Sequence, residues 1–217
     1  MEIMNAKLTT RQLHLATLAS REALGDLKRL ELAITEALDE KVTINEIKEA
    51  FSQLYAYTGF PRSLNALGVL NKVLESRKAE GMKDDEGKAW ERPAEWDDAK
   101  AALELGIKNQ TKLSGRSFDF DFCPQDDYYL KSHLFGDIFA SDQLSAADRE
   151  IVTVSALASL KGVAPQLAAH QAGAVNMGNS KDQIKELMQY LSANGLSQHD
   201  NAADANAGAW PKGNPNT

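Results

Sequence analysis

Few side chains in this 217-residue chain could carry covalent or redox chemistry. Cys123 is the only cysteine. An intrachain disulfide, a Cys-x-x-Cys redox pair and a cysteine zinc centre are therefore excluded, because each needs at least two thiols. A lone thiol can still form a sulfenic acid or pair between chains. The simpler interpretation is that Cys123 is a small, partly buried side chain just before a helix.

Histidine and carboxylate side chains are the remaining candidates for proton transfer. His133 and Asp137 stand four residues apart in a segment predicted to be helical, close enough on one face to hydrogen-bond. Two interpretations stay open, a structural pair or a His133 at the rim of a substrate pocket. No two-histidine metal motif, nucleotide-binding glycine loop or Ser/His/Asp arrangement is present, so the sequence predicts no metal and no nucleotide cofactor.

The net charge of the chain limits the kinds of partner that it is expected to bind. The formal net charge of -7 argues against a nucleic-acid binder, because such proteins collect Lys and Arg on one face. A hydrophobic content of 43% in a chain of this length can bury one sizeable core, or two small repeats that share a core.

No targeting or membrane segment is predicted. The first residues lack an apolar stretch behind a basic start, and no window approaches the roughly 18 apolar residues that span a bilayer. We expect no membrane partner and favour a cytoplasmic location. Export with a removed signal peptide would leave the same beginning, so that alternative stays open.

The elements that must position these side chains come from an internal repeat. Residues 8–56 align with residues 144–193 with one residue gapped, so that LTTRQLHLATLAS lies over LSAADREIVTVSA. Gly25 then falls on Gly162. The order of glycine, capping residues and apolar spacing is rarely produced by chance. We predict a tandem repeat.

Each repeat is predicted to form three helices, because apolar residues recur every three and four positions and stop signals separate the segments. Strand signals are nearly absent, so the predicted fold class is all-α. Helix starts are marked by capping pairs, which are Thr9/Gln12, Thr43/Glu46, Ser145/Asp148 and Ser180/Gln183. Between the repeats, residues 97–110 and 124–139 are predicted to be helical.

The boundaries follow from composition. Residues 1–76 form the first repeat, 77–123 a charged linker with one helix, and 124–195 the second repeat. The stretch 196–217 turns to Asn, Ala, Gly, Ser and Pro. We expect it to be flexible or packed on a partner.

Three segments carry a family resemblance. HLFGDIF followed by LS-x-x-DREIVTVSALASL, then QLAAHQAGAVNMG, and YAYTGFPRSLNAL in the first repeat, resemble the carboxymuconolactone decarboxylase family. The chain is similar to its tandem two-repeat members, over roughly residues 8–75 and 115–193. The resemblance implies the all-α fold shared with AhpD-type alkylhydroperoxidases.

The resemblance also implies a site, in which a helical hairpin brings an acid from one helix toward a histidine on the next. Here these are Glu150 and His170, the predicted catalytic pair. At about 1.5 Å per residue from the Gly162 turn, the two lie roughly 7 Å apart along the helix axes, a gap that long side chains or a water can bridge. The alternative is a charged first-turn residue and an unrelated core histidine.

Three neighbouring positions complete the expectation. The resemblance makes Tyr57 and His133 candidate substrate-binding residues. Arg149 faces about 100° away from Glu150 on the helix, so a surface or subunit-interface ion pair is predicted for it. In the first repeat the matching positions hold His14 and Ala33. The acid–histidine pair is therefore expected in the second repeat alone.

The sequence departs from the hydroperoxidase branch, which places a Cys-x-x-Cys pair in this hairpin. The matching positions hold Val163 and Gln166. Peroxide reduction by that route needs an attacking thiolate and a resolving thiol, and Cys123 cannot be both.

Three functions remain open. The first is cofactor-free decarboxylation or related proton transfer on a small unsaturated lactone, with His170 as proton donor and Glu150 as its partner. The second is an alkylhydroperoxidase-like antioxidant role, and the third is a non-catalytic binding protein on the same fold. The repeats expose apolar helix faces, so a homo-oligomer is expected, with the family's rings favouring a trimer.

Overall fold

The computed structural model describes residues 7–199, and within them the chain forms α-helices, one 3-10 turn and one π-helix, with no strands. The predicted all-α class is confirmed. The helices are α1 (Thr10–Leu24), α2 (Leu27–Asp39), α3 (Ile44–Thr58), α4 (Phe60–Ala79), α5 (Ala99–Ser114), α6 (Pro124–Tyr128), α7 (Ala146–Ala158), α8 (Ala164–Asn176) and α9 (Lys181–Ala193). The 3-10 turn is Ala94–Asp97 and the π-helix is Tyr129–Ile138.

The predicted helix starts are confirmed. Thr9, Thr43 and Ser180 each form a full capping box with the residue three positions later. Ser145 accepts a hydrogen bond from the Asp148 backbone N–H. Each cap satisfies a backbone donor that the first helical turn would otherwise leave unpaired. Helices α1, α2 and α3 thereby correspond in order to α7, α8 and α9.

Helix α7 lies at the centre of the fold. Every residue from Arg149 to Ala158 is buried, and the helix packs against α1, α3, α8 and α9. A helix buried on all sides serves as the common core of the elements around it. The first repeat's core accordingly includes Val152 and Ala156 of α7, so the two repeats share one interior.

The connection between the repeats forms part of the packed structure. Helix α5 packs against both α8 and the π-helix. Before it, the Trp96 indole N–H donates to the Asp137 carbonyl oxygen at 2.9 Å. The segment predicted to be a charged linker therefore supplies a wall of the second repeat.

Residues 124–139 are helical as predicted, but most of the segment is a π-helix. Helix α6 has five residues, and the chain then continues as the ten-residue π-helix, whose hydrogen bonds reach one residue further. This segment packs backbone to backbone on α5, since a Cβ on Gly106 would overlap the Lys131 carbonyl oxygen and one on Gly136 would overlap that of Ala102. The apolar spacing of the segment does not distinguish the two helix types.

The start of the predicted tail is packed against α7. Leu196 is buried, its carbonyl oxygen accepts from the Ser159 hydroxyl at 2.6 Å, and the Gln198 N–H donates to the Ala158 carbonyl oxygen at 2.8 Å. Up to residue 199, the expectation of a flexible or partner-packed tail is not met. The rest of that tail lies outside the described residues.

Between residues 7 and 199, no helix combines the length and the apolar content needed to cross a membrane.

The contact between α5 and the π-helix gives a stability prediction. Gly106→Ala should lower the free energy of unfolding by about 2 kcal/mol or more, because the added methyl meets a backbone carbonyl that cannot rotate away. Gly68→Ala is the matched control on α4, where a Cβ meets nothing within 4 Å. It should raise the free energy of unfolding by about 0.5–1 kcal/mol, as Ala does in an open helix position. Urea unfolding measures both; equal stabilities would contradict the close backbone contact.

Candidate active site

The hairpin of α7 and α8 positions an acid and a histidine. The chain reverses at Gly162, whose φ of 80° is left-handed, and α8 starts with Pro165 in its first turn. The two helices pack side by side. His170 Nδ1 and Glu150 Oε2 lie 2.8 Å apart, a direct hydrogen bond without a bridging water. The structure thus brings this predicted pair together.

The pair is buried. Glu150 is fully buried and His170 is 8% exposed. A carboxylate can only accept, so an ionised Glu150 holds the imidazole with its proton on Nδ1 and leaves Nε2 as its other ring nitrogen. Nε2 makes no hydrogen bond with the described residues, so it is the atom through which His170 can exchange a proton with a ligand.

Tyr57 joins the pair from the other repeat. It lies near the end of α3, and its ring meets the His170 ring edge-on, with 5.6 Å between centroids and 81° between planes. Its hydroxyl is buried beside the Thr153 side chain, which lowers the pKa of Tyr57 in part, and it makes no hydrogen bond of normal geometry with the described residues. Burial first, and then the negative charge of Glu150, raise the pKa of Tyr57 above its ordinary value. Tyr57 therefore stays a neutral hydrogen-bond donor.

A second buried carboxyl holds the end of α3. The Thr58 hydroxyl donates to Glu22 Oε1 at 2.7 Å, and Glu22 is 1% exposed. Burial raises the pKa of Glu22 to about 7, against the lowering by the Thr58 hydrogen bond and the Arg62 charge. Since Glu22 does not line the cavity described next, its contact serves to fix the helix end that carries Tyr57.

A cavity of about 490 Å³ opens beside these side chains, a size typical of small-molecule sites. It is lined mainly by apolar residues, which are Ala56, Leu113, Phe118, Leu130, Leu134, Phe135, Leu157, Val163, Ala169 and Ala172. The polar lining is Tyr57, Gln110, Ser114, Arg116, Gln166 and His170. Leu130, Leu134 and Phe135 come from the π-helix, a helix type often found at functional sites. Within the part of the chain that the structure describes, no carboxylate lines the cavity, because Glu150 lies behind His170.

His133 does not line this cavity. Its side chain is 48% exposed, and its Nδ1 is 2.7 Å from Asp137 Oδ2. Its ring packs near Tyr55, with 5.7 Å between centroids. The predicted pairing of His133 with Asp137 is confirmed. The structure does not place His133 at the rim of this cavity. The π-helix turns His133 to the outside while its neighbours face the cavity.

The two positions that match the Cys-x-x-Cys pair of the hydroperoxidase branch are part of the cavity wall. Val163 and Gln166 both line it. Cys123 does not; it is half-buried, with Sγ 3.7 Å from Gln125 Oε1. The described cavity wall therefore has no thiol to attack a peroxide.

The prediction of a surface or subunit-interface ion pair for Arg149 is wrong. Arg149 is 1% exposed, and its Nη2 lies 2.6 Å from Glu49 Oε1 and 2.6 Å from the Ser141 carbonyl oxygen. Nη1 donates to Gln53 Oε1 at 2.9 Å. The rotation of about 100° from Glu150 turns this side chain to α3 instead of to solvent, because α7 is buried on every side.

Part of the cavity wall was not predicted. Five of its residues come from α5 and the segment after it, a stretch predicted to be linker; they are Gln110, Leu113, Ser114, Arg116 and Phe118. The available signal was the alternating RSFDFDF stretch, which concentrates aromatic side chains there.

Two tandem helical repeats with a buried acid–histidine pair in one hairpin define an all-α protein of the AhpD-like class. The chain belongs to the carboxymuconolactone decarboxylase family, whose family model matches residues 1–72 and 128–205. Among curated proteins no match is found. The matched regions carry Tyr57, Glu150 and His170, whereas α5 and Arg116 lie in the unmatched stretch between them.

The buried Arg149 gives a second stability prediction. Arg149→Met should lower the free energy of unfolding by about 3–5 kcal/mol, because Glu49 is left as a buried charge without its partner. The double variant Arg149→Met/Glu49→Gln should recover part of that loss. Lys72→Met, which breaks an exposed ion pair with Glu31, is the control and should leave the denaturation midpoint unchanged. A similar small effect for Arg149→Met would show that the pair is not buried.

Proposed function

We propose that the protein catalyses cofactor-free decarboxylation, or a closely related proton transfer, on a small unsaturated lactone that bears a carboxylate. The observation that carries the proposal is the 2.8 Å contact between His170 Nδ1 and the buried Glu150 carboxyl, on a histidine that lines the cavity. Family membership supports the reaction class.

The reaction is a loss of CO2 followed by protonation. The bond between the carboxylate and the ring carbon breaks, CO2 leaves, and the electron pair moves through the conjugated double bond onto the lactone carbonyl oxygen. The resulting dienolate takes a proton at carbon from His170 Nε2, which restores the carbonyl group. His170 is then reprotonated from solvent, so one proton is consumed for each CO2 released.

Glu150 and Tyr57 assist this step in different ways. Glu150 holds the imidazole through Nδ1 and stabilises the positive charge of its doubly protonated form. The Tyr57 hydroxyl, buried and without a hydrogen bond of normal geometry to the described residues, can donate to the oxygen on which negative charge develops. A neutral donor is required there, and the raised pKa of Tyr57 keeps its proton in place.

The apolar cavity wall favours the same chemistry. Loss of CO2 converts a localised carboxylate charge into a delocalised one, which is less dependent on water. A wall made mostly of leucine, phenylalanine and alanine side chains excludes water from the reacting atoms. The absence of a thiol from this wall favours proton transfer over the alkylhydroperoxidase-like alternative.

Turnover of 4-carboxymuconolactone, followed by ultraviolet absorbance, tests the proposal. His170→Ala should lower kcat by about 100- to 10,000-fold, the usual contribution of a positioned general acid. Glu150→Gln should lower kcat by a smaller factor, because the imidazole keeps its place but loses the charge that supports its second proton.

His133→Ala is the matched control, since it removes a histidine that the structure places outside the cavity. It should keep kcat within about twofold of the parent chain. Unchanged rates in both His170→Ala and Glu150→Gln would overturn the assignment. A parent chain that binds the lactone without turning it over would identify a binding protein instead.

A further inference from the structure

Among residues 7–199, Arg116 is the one cavity-lining residue with a permanent positive charge, and the proposed reaction does not use it. Its side chain is exposed, whereas His170 is buried, so Arg116 is the more accessible of the two to solvent. Its guanidinium makes no hydrogen bond or ion pair with residues 7–199. Five N–H donors at the mouth are thus available to a ligand.

The backbone around Arg116 is held in place. The Ser114 hydroxyl donates to the Arg116 carbonyl oxygen at 2.5 Å. Further along, the Phe120 N–H donates to Asp127 Oδ1 at 2.9 Å. These contacts anchor both sides of the segment, so Arg116 is presented at the mouth by a fixed backbone.

Two acids of this region are already paired with a lysine. Lys131 Nζ lies 2.5 Å from Asp119 Oδ1 and 2.6 Å from Asp127 Oδ2. Lys131 is itself 7% exposed, so this is a built ion cluster. Asp119 and Asp127 are therefore already engaged by Lys131.

Phe118 contributes an apolar side chain to the cavity wall two residues further along. It is 6% exposed and stacks on Phe120 at 6.4 Å between centroids with 17° between planes. A guanidinium fork binds a carboxylate through two parallel hydrogen bonds, and the mainly apolar cavity wall accommodates the unsaturated body of an organic anion.

We propose that Arg116 is a specificity-determining residue, which binds an anionic group of the substrate at the cavity mouth and directs the unsaturated end toward His170. The group it binds is not the one lost in the reaction. A guanidinium clamped on the departing carboxylate would stabilise the ground state and oppose CO2 loss. The identity of the substrate rests on the proposed function, but recognition of a planar anion can be measured without turnover.

The test compares two ligands of the same shape and different charge, trans-cinnamate and trans-cinnamamide, by isothermal titration calorimetry. The parent chain should bind the acid at least about tenfold more tightly than the amide, the range expected for a charge-assisted hydrogen bond. Arg116→Gln should abolish that preference. Arg92→Gln, an exposed arginine that does not line the cavity, should keep it. Equal binding of acid and amide by the parent chain, or an unchanged preference in Arg116→Gln, overturns the proposal, and so does failure of the acid to bind.

Turnover separates this proposal from the proposed function. With 4-carboxymuconolactone, Arg116→Gln should raise KM by about 10- to 100-fold and leave kcat within about threefold, because the contact is made equally in ground and transition states. If Arg116→Gln loses the preference for the acid, in a chain that does not turn over the lactone, anion binding by Arg116 is supported and the proposed reaction is rejected. If Arg116→Gln keeps both the preference for the acid and the parent KM, in a chain whose turnover needs His170, the role of Arg116 is rejected and the proposed reaction is supported.

Discussion

The buried ion pair of Arg149 and Glu49 is the constraint on which the site depends. It ties the first buried turn of α7 to α3 and leaves no freedom for α7 to rotate without stranding two charges. Glu150 is the next residue, about 100° further around the helix. With Arg149 held toward α3, Glu150 is directed to α8 and His170. One interaction between the repeats therefore sets the direction of the acid within one of them.

Both repeats contribute to the candidate site. The first repeat supplies Glu49 and Tyr57 from the same helix, one to orient α7 and one to face His170. The second repeat supplies the acid and the histidine. Neither repeat holds the arrangement alone, and α5 closes the cavity with residues that belong to neither. We interpret the first repeat as the support and the second as the chemical part of one unit.

Local signals in the sequence predicted the local features of the fold. The capping pairs, the helix order of each repeat and the contact of His133 with Asp137 all follow from spacing within a few residues. The burial of Arg149 could not be predicted in that way, because its partners Glu49 and Gln53 lie about a hundred positions away. The π-helix escaped prediction because it depends on the approach of two backbones at Gly106 and Gly136. The cavity position of Arg116 depends in turn on that same packed wall.

The central claim is that Glu150 holds His170 with a proton on Nδ1 and presents Nε2 to the ligand. Nitrogen-15 NMR of the histidine side chains tests it most directly, with His170→Ala to assign the resonance. We predict a proton on Nδ1 of His170 whose hydrogen bond is kept in Glu150→Gln and lost in Glu150→Ala, and an Nε2 shift that changes when the lactone acid is added. A His170 ring protonated on Nε2 and not on Nδ1, or an Nε2 chemical shift that stays unchanged when the ligand is added, would contradict the account.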